Sequence, residues 1–171
     1  MMNILGIGTD IVECPRIGKM IEQHGELFLR RVYTDREIRY CQARKHAIEH
    51  FAGRWAAKEA ILKALGTGWS RGISWTDLEV RNDPSGRPKV LIRGGAKDVA
   101  IRQGIADMLI SISHCRTYAV AYAVATGIDR VAGERRSAVD TADEETSLDP
   151  DLGGDQADPE TETETETDSG E

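Results

Sequence analysis

Two carboxylates and a lysine raise the first question of chemistry. Asp10 stands in Gly6-Ile7-Gly8-Thr9-Asp10-Ile11-Val12-Glu13, near the end of an apolar segment, Asn3 to Val12, that reads as a buried strand. A carboxylate there is costly to bury unless it is hydrogen-bonded, paired or bound to a metal. Glu59 and Lys63 stand in an Ala-rich block from Phe51 to Leu65. At 3.6 residues per turn they lie one turn apart on one helix face. Ala52 and Ala56 on the same side leave room for a backbone or a ligand to approach. Two carboxylates from different elements, without a matching His or Cys set, suit a hard, oxygen-seeking cation. Mg²⁺ is the usual one, because it takes one or two protein carboxylates and completes its shell with water and phosphate. Two plainer readings stay open. Asp10 could cap the helix that follows it, and Glu59 with Lys63 could be a solvated surface pair.

A rival motif is His46-Ala47-Ile48-Glu49-His50. It matches the H-x-x-E-H pattern of some zinc hydrolases, with two histidines one turn apart. No further ligand stands in a matching context, and a solvated helix turn is the plain alternative. Gly66-Thr67-Gly68 follows a helix instead of opening one, so it is not a phosphate-binding P-loop. Trp69 and Trp75 read as core or interface residues.

The elements that must position these residues follow from pattern. Pro15 fits the first turn of a helix, and Ile17, Met20 and Ile21 recur on one face, predicting a helix from about Pro15 to His24 that Gly25 ends. Thr34 and Glu37 form a capping-box pattern that opens a second helix toward Cys41. The long helix runs from about Lys45 to Leu65. A strand is expected from Ile73 to Arg81, a turn over Asn82 to Gly86, and a returning strand from Lys89 to Ile92. Gly94 to Gln103 suits a short helix. Leu109 to His114 and Thr117 to Ala125 alternate with period two and make a hairpin. The order argues an α+β fold with an antiparallel sheet packed on a long helix.

Charge divides the chain. The 171 residues carry a net charge of −7 from 22 basic and 29 acidic side chains. Residues 140–171 hold 14 of the acidic residues and no Lys or Arg, so residues 1–139 carry 15 acidic against 22 basic, a net +7. A basic body suits an anionic cofactor or an acidic partner. The tail, with its alternating Glu-Thr tract from Glu160 to Glu166, has too few apolar side chains to offset the entropy of ordering and reads as disordered. It could solvate the chain or fold back weakly over the body. No apolar run approaches the roughly 18–20 residues of a membrane span, and the N-terminus lacks the pattern of a signal peptide. Cys14, Cys41 and Cys115 are odd in number and widely spaced, which suits free thiols in a reducing cytoplasm.

Several segments together resemble a known family. GIGTDIVE, RRVYTDREIRYC, FAGRWAAKEAILKALGTG, DLEVRNDPSGRPKV and SISHCRTYAVAYAV occur in order. The combination resembles holo-[acyl-carrier-protein] synthase, a 4′-phosphopantetheinyl transferase, over about residues 3–126. The resemblance implies transfer of the phosphopantetheine arm of coenzyme A to a serine of apo-acyl carrier protein, releasing adenosine 3′,5′-bisphosphate. It implies Asp10 and Glu59 as magnesium ligands and Glu59, Lys63 and Asp10 as the catalytic set. Lys45, Arg54 and His114 would contact the nucleotide and its 3′-phosphate, and the backbone of Gly66, Thr67 and Gly68 would approach coenzyme A. Arg16 and Met20 would dock the carrier protein. Because longer relatives duplicate this fold in one chain, a single copy implies a homotrimer with sites shared between subunits. Glu22 and Glu26 depart from the more basic docking helix of relatives. Residues 1–127 are the expected domain and 128–171 the expected linker and tail. No nucleic-acid or membrane partner is expected. A non-catalytic module that binds coenzyme A or the carrier remains the second rival.

Overall fold

A computed structural model of the chain describes residues 2–68 and 72–128. Trp69, the acidic tail and the linker before it from residue 129 lie outside the described residues. The elements run β1 (Met2–Glu13), α1 (Cys14–Val32), α2 (Asp35–Gln42), α3 (Ala47–Ala64), a 3-10 helix (Trp75–Asp77), β2 (Leu78–Asn82), β3 (Pro88–Ile92), α4 (Gly94–Arg102), β4 (Ile105–His114) and β5 (Tyr118–Ile128). The α+β expectation holds. One sheet has the order β1-β5-β4, antiparallel throughout, and β2 and β3 form a separate antiparallel hairpin.

α3 lies across one face of the three-stranded sheet, and small residues let it come close. Ala119, Ala121, Ala123 and Ala125 of β5 are fully buried on that face, as are Ala52, Ala56 and Ala60 of the helix. β1 comes closer still. A Cβ added at Gly8 would stand 1.9 Å from the Ala60 carbonyl oxygen, and one at Gly6 2.0 Å from that of Ala64. Both contacts are backbone to backbone, so no side chain fits at either position. Side chains alternate along a strand, so Gly6, Gly8 and Asp10 share this face. The glycines therefore bring Asp10 against the turn of α3 that carries Glu59 and Lys63.

The far side of α3 carries the large side chains. Phe28 of α1 stacks on Trp55 at 5.9 Å, and Trp55 stacks on Trp75 at 4.7 Å. Ile61 and Leu65 of the same region are buried, each contributing about 1.5–3 kcal/mol by leaving water. Lys58 and Glu37 then tie the periphery to the helix. Lys58 Nζ lies 2.8 Å from Glu37 Oε2, with both side chains fully buried. The same ammonium donates to the carbonyls of Val32 at 2.7 Å and Trp75 at 3.0 Å. Glu37 accepts from Thr34 N at 2.8 Å, completing the expected capping box, and from Val80 N at 3.0 Å.

The break expected at Gly25 is present: its φ of 52° and ψ of −134° are non-helical and interrupt α1, and a second helical stretch, which the pattern did not predict, then runs to Val32. One expected boundary is corrected, because no strand begins at Ile73. Ser74 and Asp77 form a capping box around a 3-10 helix, and β2 starts at Leu78. Local capping outweighed the β-branched pattern there.

Candidate functional site

β1 and α3 assemble an acidic corner. Asp10 does not cap α1. The capping position is Glu13, which makes no side-chain cap. Instead Lys63 Nζ donates to Asp10 Oδ1 at 2.8 Å and to the Thr9 carbonyl at 2.9 Å. The Glu59–Lys63 pair expected from helix spacing is thus corrected: the lysine turns across to the strand. Glu59 is left beside a second carboxylate. Burial, and then the charge of Asp10, push the Glu59 carboxyl above its ordinary range, while Lys63 works against the shift. Two adjacent carboxylates with one shared lysine form a site short of positive charge. That donor set fits Mg²⁺, which needs no third protein ligand.

A second hollow opens N-terminal to this corner on α3. It has a volume of about 150 Å³ and lies between Arg54, His50 and Gly53 of α3, Asn82, Gly86 and Pro88 of the β2–β3 hairpin, Tyr40 of α2, and Ile112 and His114 of β4. Arg54 is 4% exposed. Its guanidinium sits 4.1 Å from the centre of the Tyr40 ring and donates to Asn82 Oδ1 at 3.0 Å. Its Nε is buried and has no hydrogen-bond partner among the described residues. His114 Nδ1 lies 3.2 Å from Glu49 Oε2, leaving the other ring nitrogen for a ligand. A buried guanidinium and an imidazole oriented from behind by Glu49, with no carboxylate lining the hollow itself, make a place for a phosphate. Arg54 and Glu59 are five residues apart, about 7.5 Å along the helix and about 140° around it.

The remaining expected residues are distributed around this frame. Gly66 and Gly68 adopt φ values of 66° and 50°, and a Cβ at either would meet nothing within 4 Å. Their turn follows Lys63 directly and exposes backbone to solvent. Lys45 lies exposed in the turn before α3 and does not line the Arg54 hollow. Arg16 is exposed on α1, beside Ile11, Glu13 and Tyr118. Met20, one turn on, lines a different groove of about 500 Å³ with Leu27, Phe28, Trp55 and Trp75. Sequence reasoning missed this groove, because Phe28, Trp55 and Trp75 stand 27 and 20 positions apart and meet only when α1, α3 and the 3-10 helix pack together. It also missed Tyr40 and Asn82, which hold Arg54 in place. The zinc reading fails on geometry. His46 and His114 both address Glu49, at 3.8 and 3.2 Å, His50 lies edge-on to His114, and no group of three or more metal-ligating side chains converges among the described residues.

Comparisons with known proteins bear on the family and the fold. A family model described as 4′-phosphopantetheinyl transferase superfamily matches residues 6–123. The holo-[acyl-carrier-protein] synthase of Koribacter versatilis is 51% identical over 118 residues, spanning 69% of this chain and 94% of that protein. The crystal structure of the Plasmodium yoelii holo-ACP synthase is similar with a TM-score of 0.66 at 34% identity, over 75% of this chain and 99% of that one. That of the Bacillus anthracis holo-(acyl-carrier-protein) synthase in complex with CoA (3′,5′-ADP) is similar with a TM-score of 0.62 at 37% identity, over 75% of this chain and all of the other. By these matches this chain belongs to the 4′-phosphopantetheinyl transferase superfamily and, within it, to the holo-[acyl-carrier-protein] synthases.

Proposed function

We propose that Asp10 and Glu59 hold Mg²⁺ at the centre of the family's reaction. The chain transfers the 4′-phosphopantetheine arm of coenzyme A, its co-substrate, to a serine of apo-acyl carrier protein. The observation that carries the site assignment is the pair of neighbouring carboxylates with Lys63 bonded to only one of them. Bound Mg²⁺ would polarise the pyrophosphate oxygens and neutralise their charge. Phosphoryl transfer otherwise needs mainly positioning and electrostatics. Glu59, with its raised carboxyl, accepts the serine proton, and Lys63 offsets charge on the departing phosphate. Arg54 and His114 hold the nucleotide's 3′-phosphate, Lys45 approaches from the turn before α3, and the Gly66–Thr67–Gly68 backbone lies along the cofactor.

The carrier docks on α1 through Arg16 and Met20, with the Trp55–Trp75 groove extending the apolar part of the contact. The acidic carrier and the +7 body attract one another, which speeds encounter. The sheet face opposite α3 supports a homotrimer. Ile7 and Ile11 of β1, Leu109 of β4 and Tyr122 of β5 are each more than half exposed on it, an apolar surface of the kind that partners cover. Cys14, Cys41 and Cys115 are free, which supports a reducing cytoplasm, and no described helix is long and apolar enough to cross a membrane. Residues 1–127 act as the transferase domain and the acidic segment as a solvating extension. Incubation of apo-carrier protein with coenzyme A and Mg²⁺, followed by mass spectrometry, tests the reading. The carrier gains the mass of one phosphopantetheine, and a chelator abolishes the gain. Tight coenzyme A binding with no mass gain would mark a non-catalytic module instead.

A further inference from the structure

A basin on the other side of α2 shares no lining residue with the hollows described above. It has a volume of about 580 Å³ and collects Arg30, Arg36, Arg39, Arg81 and Arg93. These come from the end of α1, from α2, from β2 and from the residue that follows β3, so the cluster is a product of folding and not of a basic run. Two carboxylates share the basin. Glu79 is buried and taken up by Arg81. Burial alone would raise its carboxyl, but the hydrogen bonds from Arg81 and Thr34 and the charge of Arg93 bring it below the ordinary range. Asp35 is exposed in the first turn of α2. Arg30 pairs with Glu26 on the solvent side at 2.8 Å. Arg36, Arg39 and Arg93 make no salt bridge among the described residues.

Guanidinium groups converging on a concavity repel one another and focus a positive potential into it. An anion relieves that repulsion. Its class follows from the donors. Arginine presents a planar fork that matches phosphate bidentately, whereas a lysine cluster would act as point charges. The basin is open to solvent, and its volume lies within the range of small-molecule sites, about 300–1,000 Å³. Tyr33, the basin's aromatic residue, is buried and its hydroxyl is committed to the Phe51 carbonyl at 3.1 Å, so no ring is free for a nucleobase to stack on. We infer that this basin is a second anion site that binds a compact ligand carrying two or more phosphate groups.

Calorimetric titration of the full chain with inorganic pyrophosphate tests this, in saturating coenzyme A so that the cofactor site is filled. One binding event per chain is expected to persist under these conditions, to weaken at least tenfold in R36Q/R93Q, and to weaken in R36K/R93K as well, because lysine lacks the fork. Both variants keep the wild-type circular dichroism spectrum and the wild-type rate of carrier modification without pyrophosphate. Loss of the event once coenzyme A is saturating would overturn the inference, as would undiminished binding in R36Q/R93Q. Tighter binding of a polyglutamate peptide than of pyrophosphate would overturn it in favour of an acidic protein partner. A variant that fails to fold leaves R36K/R93K to decide, and full affinity there would equally overturn it.

Discussion

Lys58 and Glu59 are neighbours on α3 and sit at opposite ends of what a charged residue can do. Lys58 is enclosed, with Glu37 at 2.8 Å and two backbone carbonyls completing its three donors. Glu59 faces a second carboxylate, and the one nearby ammonium is bonded to Asp10. The first region is electrostatically complete, so it organises α1, α2, β2 and the 3-10 helix around the core. The second lacks positive charge that the described residues do not supply, so it is built to receive it. Satisfaction marks scaffold and deficit marks the site.

Substitutions can break this contrast. Lys58→Met leaves the Glu37 carboxylate buried without its partner, and the expected cost is about 3–5 kcal/mol of unfolding free energy, measured by urea denaturation. A loss below about 1 kcal/mol would show that the pair is not holding the scaffold. Glu59→Gln should do the reverse. Even residues behind a metal ligand cost 10–100-fold when removed, so loss of the ligand itself should lower kcat/KM by at least about 100-fold. Its melting temperature should stay level or rise, because one of two like charges is gone. Near-normal turnover would sink the metal assignment. Asp10→Asn should share the kinetic loss.

The smallest expected effect sharpens the contrast at the second hollow. His50 takes up a proton less readily than a free histidine, first because it is partly buried and then because His114, Arg54 and Arg44 surround it. The unfolded chain, with an ordinary histidine near pH 6.5, therefore binds more protons. The stability contribution is complete above about pH 6.5 and declines as the pH falls below it. Thermal melts of wild type and His50→Gln between pH 5 and 8 should converge at high pH, with the wild type alone losing ground on the acid side. Parallel curves would mean that His50 does not feel its neighbours.

Much of this was legible beforehand because it depends on local pattern. The alternation of β4 and β5, the capping box at Thr34 and Glu37, and the Ala-rich periodicity of α3 each reflect interactions within a few residues. The helix break at Gly25 was legible too, since glycine is the residue type that adopts a positive φ most easily. The helical stretch that resumes up to Val32 and the 3-10 helix after Ser74 were not, because apolar spacing carries no information about a helix resuming after a break or about a cap competing with a strand. Asp10 and Glu59 could be suspected as partners from residue type, but the partner of Lys63 could not. Helix spacing pointed to Glu59, whereas the approach of β1 put Asp10 in reach.

The sequence by itself determined which side chains were available and which face of each element they occupy, since both follow from residue type and from the periods of helix and strand. The tertiary structure decided which of them meet. Gly6 and Gly8 allow β1 to touch the backbone of α3, and that contact makes a site of two carboxylates 49 positions apart. The arginine basin and the Trp55–Trp75 groove likewise exist only after distant elements pack. Long-range packing is a property of shape and close fit between surfaces, which the order of residues along the chain encodes without displaying.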